Sequence, residues 1–173
     1  MNYFGKIRTF ASLDGLIVGG LWTFGFACML GNFNYPILGL GFVFSLLFTP
    51  FLVIKRGKCC RDKVLNGIIN FGQAYFYSLL TLLFSSLLFA IIQWGYFNFL
   101  DNGFFLSQYA STFENYKTEL MAIYGLSEVE YKSVINLLFS LRPIDFALEF
   151  MWINITTSVF LALITAAFIK RSK

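Results

Sequence analysis

The stretch FGQAYFYSLLTLLFSSLLFAIIQWGYFNF, from Phe71 to Phe99, runs for 29 residues without a charged side chain. About 20 mainly apolar residues in a helix cross the hydrocarbon core of a bilayer. This segment exceeds that length, so it reads as a tilted or projecting membrane span. Working outward, three more segments qualify: roughly Phe10–Leu30, Tyr35–Ile54 and Ile144–Ile169.

Composition supports the same reading. The chain has 173 residues, of which 58% are hydrophobic and 13% charged, with 23 Phe and no His. A soluble domain carries about 25% charge. A water-soluble globule with so few charges could not cover itself, and a disordered chain needs low hydrophobicity and high charge. Without His there is no imidazole in a catalytic triad, metal site or proton switch near neutral pH. Cys28, Cys59 and Cys60 are too few and too badly spaced for a zinc or iron–sulfur centre. They read as reduced structural thiols, and no cofactor or metal is expected. The expected fold is an all-α integral membrane protein, one domain over 1–173. Four transmembrane helices form a compact bundle, with a helical hairpin at about 104–142 between the third and fourth.

The first span follows Lys6 and Arg8, but its apolar run is longer than a secretory signal's core. No small-residue cleavage site follows, and Gly25 stands where a lipoprotein signal ending at Cys28 would carry Leu. It is expected to remain as a membrane anchor. Basic residues assign the sides. Lys6 and Arg8, then Lys55, Arg56, Lys58, Arg61 and Lys63, then Lys170, Arg171 and Lys173 make ten of the 13. The opposite side holds Lys117, Lys132 and Arg142 with seven acids. Both termini are therefore expected in the cytoplasm, in a multi-pass protein of a bacterial inner membrane.

Lipid tails are as apolar as Leu, so small residues, which let backbones approach, must drive helix association. Span one repeats them every four residues at Ala11, Gly15, Gly19, Thr23 and Ala27. Span two has Gly41, Ser45 and Thr49; span three Ala74, Ser78, Thr81 and Ser85; span four Ser158, Ala162 and Ala166. Tyr35, Trp94, Tyr96 and Trp152 fit an outer interfacial belt, with Tyr75 and Tyr77 at the inner one. Trp22 lies mid-span and reads as a packing residue. Pro50 should loosen span two just before a basic loop.

Between the last two spans, Tyr109, Phe113, Tyr116, Leu120 and Ile123 recur at helical spacing up to Gly125. Ser127 to Glu130 then matches a capping box opening a strongly apolar helix. This hairpin should lie on the bilayer surface, cap the bundle or bind a protein, with Tyr109, Phe113, Tyr116 and Leu120 as its candidate interaction face.

Intramembrane ionisable groups are functional candidates by default. Asp14 lies about one turn into span one, where Lys6, Arg8 and the helix dipole offer a structural account; the alternative is a buried pairing or a proton-carrying role. Asp145 and Glu149 are four apart on one face and could serve as general acid and base. Arg142 and the helix N-terminus explain them without chemistry. Asn154 and Gln93 are candidate cross-helix hydrogen-bonders. The cluster Lys55, Arg56, Lys58, Arg61 and Lys63 is a candidate contact for anionic lipid or an acidic partner. Nothing in it suits nucleic acid.

Three features occur in order: Asp14-Gly-Leu-Ile-Val-Gly-Gly20, then Asn66-Gly-Ile-Ile-Asn-Phe-Gly-Gln-Ala-Tyr75 after the basic cluster, then Tyr96-Phe-Asn-Phe-Leu-Asp-Asn102. With a charged helical segment and a final span before a basic tail, this pattern resembles the small four-span bacterial proteins of domain of unknown function 4199. One departure is Asn102, where a Pro is expected after the Asp. The resemblance implies four spans and placement in a Bacteroidetes-type inner membrane, and adds no catalytic residue. The expected function is a non-enzymatic accessory or scaffold subunit that binds a partner through the outer hairpin or the basic cytoplasmic loop, the partners being membrane lipids and another membrane protein or itself. The alternative is a homo-oligomeric small transporter, channel or lipid-handling protein.

Overall fold

A computed structural model describes residues 3–171, which form seven α-helices. In chain order they are α1 (Tyr3–Gly31), α2 (Gly39–Val64), α3 (Phe71–Phe99), α4 (Phe104–Asn115), α5 (Lys117–Tyr124), α6 (Glu128–Ser140) and α7 (Pro143–Ile169). Four of them, α1, α2, α3 and α7, are long and apolar enough to cross a membrane. The expected all-α, four-span architecture is thus what the chain adopts. Contacts group it into two compact units, Met1–Ile92 with Glu149–Lys173, and Gln93–Leu148.

In the first unit, small residues mark where the helices meet. Gly15 of α1 faces α3 so closely that an added methyl would stand 2.6 Å from Phe84 Cβ and 3.0 Å from the Thr81 carbonyl oxygen. The Ser85 hydroxyl donates to the Gly15 carbonyl at 2.9 Å, joining the two backbones. The seam of α1 does not run its whole length, however. Ala11, Gly15 and Gly19 are buried, Thr23 is half-buried and Ala27 is exposed. A four-residue step overshoots the 3.6-residue turn, so a strict four-residue repeat rotates off the contact face. Ser158, Ala162 and Ala166 of α7 are all buried. Two apolar clusters fill the interior. One gathers Ile7, Cys60, Tyr77, Ala166 and Ile169 among others; the second gathers Val18, Val53, Leu82 and Ala162.

The expected basic loop is a helix. α2 continues through Pro50 to Val64, so Lys55–Lys63 occupies its last turns. Proline removes one helical donor, but a helix in lipid has no better use for its remaining backbone groups than the next turn. One face buries Ser45, Thr49, Val53, Gly57 and Cys60, while Leu40, Phe44, Leu47 and Phe51 are exposed. The chain then turns at Asn66 and Gly67, both at positive φ. Asn70 and Gln73 exchange reciprocal hydrogen bonds of 2.8 and 3.1 Å between side chain and backbone to open α3. The stretch Asn66–Gln73 is therefore a stop signal for one span and a start signal for the next.

In the second unit the expected helix ending at Gly125 is two helices. It breaks at Tyr116, whose φ of −104° and ψ of 14° lie outside the helical region. α5 ends at Gly125 in the left-handed conformation, and the Ser127–Glu130 capping box opens α6. Asp101 Oδ1 accepts from the Phe105 amide at 2.9 Å at the start of α4. Asn102 has φ +46°, which the proline ring, fixed near −65°, cannot adopt. That conformation excludes proline at this point of the turn.

Candidate functional site

The most concentrated polar chemistry within the spans is at Asp14. Its side chain is completely buried. Arg56 of α2 places Nη2 2.5 Å and Nε 2.6 Å from Asp14 Oδ1. The Tyr77 hydroxyl, also buried, donates to Oδ2. An isolated carboxylate in an apolar interior is strongly disfavoured, and here both oxygens are engaged. The arrangement joins α1, α2 and α3 around one charge. It exists because α2 remains helical past Pro50: Val53, Arg56, Gly57 and Cys60 share a face at three- and four-residue spacing.

This geometry corrects two expectations. α1 starts at Tyr3, so Asp14 is not in its first turn, and its cation is Arg56 rather than Lys6 or Arg8. Tyr77 is not an interfacial belt residue but the third member of the buried centre. Sequence reasoning missed it because a tyrosine near a span end has two readings, and only the register of α1 against α3 separates them. Trp22 was likewise read as packing alone. Its Nε1 donates to Thr49 Oγ1 at 2.9 Å, a direct link from α1 to α2, while its ring lies edge-on to Phe89 at 6.0 Å.

The basic cluster divides by residue type. Arg61 donates to the Ile169 carbonyl at 3.1 Å and to Asp62 at 2.7 Å, tying the end of α2 to the end of α7. Lys55, Lys58 and Lys63 are exposed.

The remaining candidates have surroundings of their own. Asp145 accepts from Arg142 Nη2 at 2.9 Å and from the Arg142 amide at 2.8 Å, while Glu149 is exposed. Asn154 is half-buried, and its carbonyl accepts from the Ser158 hydroxyl at 2.6 Å. Gln93 is fully buried, and its side-chain amide has no hydrogen-bond partner among the described residues.

In the second unit, Phe97, Phe105 and Phe146 pack ring against ring, with Tyr109 on Phe105 at 4.6 Å. Beyond them is a groove of about 300 Å³, lined by Phe113 and Leu120 on one side and Tyr131, Val134, Leu137 and Leu138 on the other. Of the expected interaction face, Phe113 and Leu120 reach this groove, Tyr109 packs on its neighbours and Tyr116 is exposed at the helix break. Lys117 bridges α5 to α6 by an ion pair with Glu128 at 3.2 Å, and its ammonium lies 5.4 Å from the Tyr131 ring centre. Hydrogen bonding to Glu128 raises the Lys117 pKa, chiefly against desolvation. Hydrogen bonds from the Ser127 backbone and then its hydroxyl hold Glu130 below the usual carboxylate value.

Comparison with curated proteins and with solved structures gives no match. The model of one family, described as protein of unknown function (DUF4199), matches residues 13–171. With four apolar helices in the order described and a match over nearly its whole length, the chain belongs to the DUF4199 family of membrane proteins.

Proposed function

We propose that the protein is a non-enzymatic accessory subunit of the inner membrane, with both termini in the cytoplasm, that binds a partner membrane protein through its outer helical segment. The carrying observation is the groove between α5 and α6. It is apolar, and it leaves Tyr124 and Leu137 about 70% and 67% exposed outside the four spans. Exposed apolar surface of this kind marks interaction sites. The buried centre supports a structural rather than a catalytic role for Asp14, since no oxygen of the carboxylate is free for a substrate.

The test is a photo-crosslinking residue placed at Leu137 at native expression, read by mass spectrometry. A discrete membrane-protein adduct is expected, and it should vanish when Val134 on the same groove is replaced by Lys. Adducts to lipid or to the protein itself alone would overturn the reading. An adduct unaffected by Val134→Lys would show that the groove is not the contact.

A further inference from the structure

The geometry points to the basic end of the bundle as a binding surface for anionic lipid headgroups, carried by its lysines and not by Arg56 and Arg61. This reading does not depend on the groove of the second unit.

Three stretches far apart in sequence converge here. Ile7, Cys60 and Ile169 belong to one buried cluster, so the residues beside them share one end of the first unit. Those neighbours are Lys6 and Arg8 on α1, Lys58 and Lys63 near the end of α2, and Lys170 just past α7, with Lys55 one turn further into α2. All six are exposed, and among the described residues none forms an ion pair. The acids of this end are already engaged: Asp14 by Arg56 and Asp62 by Arg61. Arg56 and Arg61 are held by these acids, Arg61 also donating to the Ile169 carbonyl. What remains exposed is a set of ammonium groups, with Arg8, that outnumbers the acids of this end; Asp62 is shared between Arg61 and, at longer range, Lys58.

Their height matches that of lipid headgroups. The uncharged residues 36–54, a 3-10 turn leading into α2, rise about 30 Å, and residues 150–169 of α7 rise about 30 Å before Lys170. The hydrocarbon core is about 30 Å thick. The cations therefore stand where apolar length runs out, at the level of lipid phosphates. Clusters of four to eight basic residues beside a span attract anionic lipid. Flexible ammonium groups suit mobile headgroups, whereas the planar guanidinium suits the fixed partners it has here.

The experiment reconstitutes the full chain in nanodiscs of equimolar phosphatidylglycerol and phosphatidylcholine. Lipids retained on release are counted by native mass spectrometry. Wild type should retain phosphatidylglycerol several-fold over phosphatidylcholine, less so at high salt. Each lysine is expected to contribute at most about fivefold, so Lys55→Gln/Lys58→Gln/Lys63→Gln, which leaves Lys6, Arg8 and Lys170, should at least halve the ratio with unchanged melting in neutral detergent. Arg61→Gln should keep the enrichment while lowering the melting temperature. Equal retention of both lipids by wild type, or an unchanged ratio in the triple variant, overturns the proposal. Loss of enrichment in Arg61→Gln would overturn the division between lysine and arginine. Displacement of the lipid by inorganic phosphate would identify a small-anion site instead.

Discussion

Asp14, Arg56 and Tyr77 act as one charge-neutral object, and removal of its members should be strongly non-additive. Taking one partner from a buried pair leaves an uncompensated charge and costs about 3–5 kcal/mol. The Arg56 side chain retains 33% exposure, so Arg56→Gln should fall near the lower end, at about 3 kcal/mol. Asp14→Asn combined with Arg56→Gln should cost clearly less than the sum of the two single changes. Unfolding in mixed micelles across the double-mutant cycle measures this. An additive cycle would mean that the two side chains do not interact. At this scale the sequence was only half legible. An acid in a span flagged Asp14 correctly, but its partners lie 42 and 63 residues away. Spacing within one helix cannot show which residue of another helix arrives at the same height.

At the scale of elements, local signals were legible where the physics is local. The Ser127–Glu130 box and the left-handed Gly125 both appear where expected, because each depends on residues within one turn. Ser127→Ala should weaken the start of α6 by about 1 kcal/mol, seen as faster amide exchange over residues 128–131. Protonation should act in the same place. The folded Glu130 has a depressed pKa. Its contribution is therefore present above the ordinary carboxylate value and is lost as pH falls through the lower, folded value. Exchange in the first turn of α6 should accelerate over that acidic range in wild type, and Glu130→Gln should flatten the response. The continuation of α2 past Pro50 was not legible, since proline next to a basic run is the usual sign of a helix end in water. In a bilayer the cost of unpaired backbone groups reverses that inference. The break at Tyr116 was equally hidden: Tyr109 to Ile123 keep helical spacing across it, so periodicity alone does not register a single non-helical residue.

For the whole molecule, the distribution of basic residues along the chain predicts an orientation. Reporter fusions after the C-terminus and at Asn115 should report opposite sides of the membrane, with the C-terminus cytoplasmic. A cytoplasmic signal at Asn115 would reject that orientation. Four spans were legible because each is longer than a bilayer requires, a condition that no other helix among the described residues meets. The division into two units was not, because α3 and α7 both run through the boundary between them without a change in composition.

The buried centre also bears on how the protein is made. A chain enters the membrane from its N-terminus, so Asp14 is synthesised 42 residues before Arg56 and 63 before Tyr77. A carboxylate this far along the first span is a poor candidate for independent transfer into lipid. The smallest insertion unit with its charge neutralised is therefore the α1–α2 pair. The first helix gains its counter-charge only once the last third of the second is in place beside it.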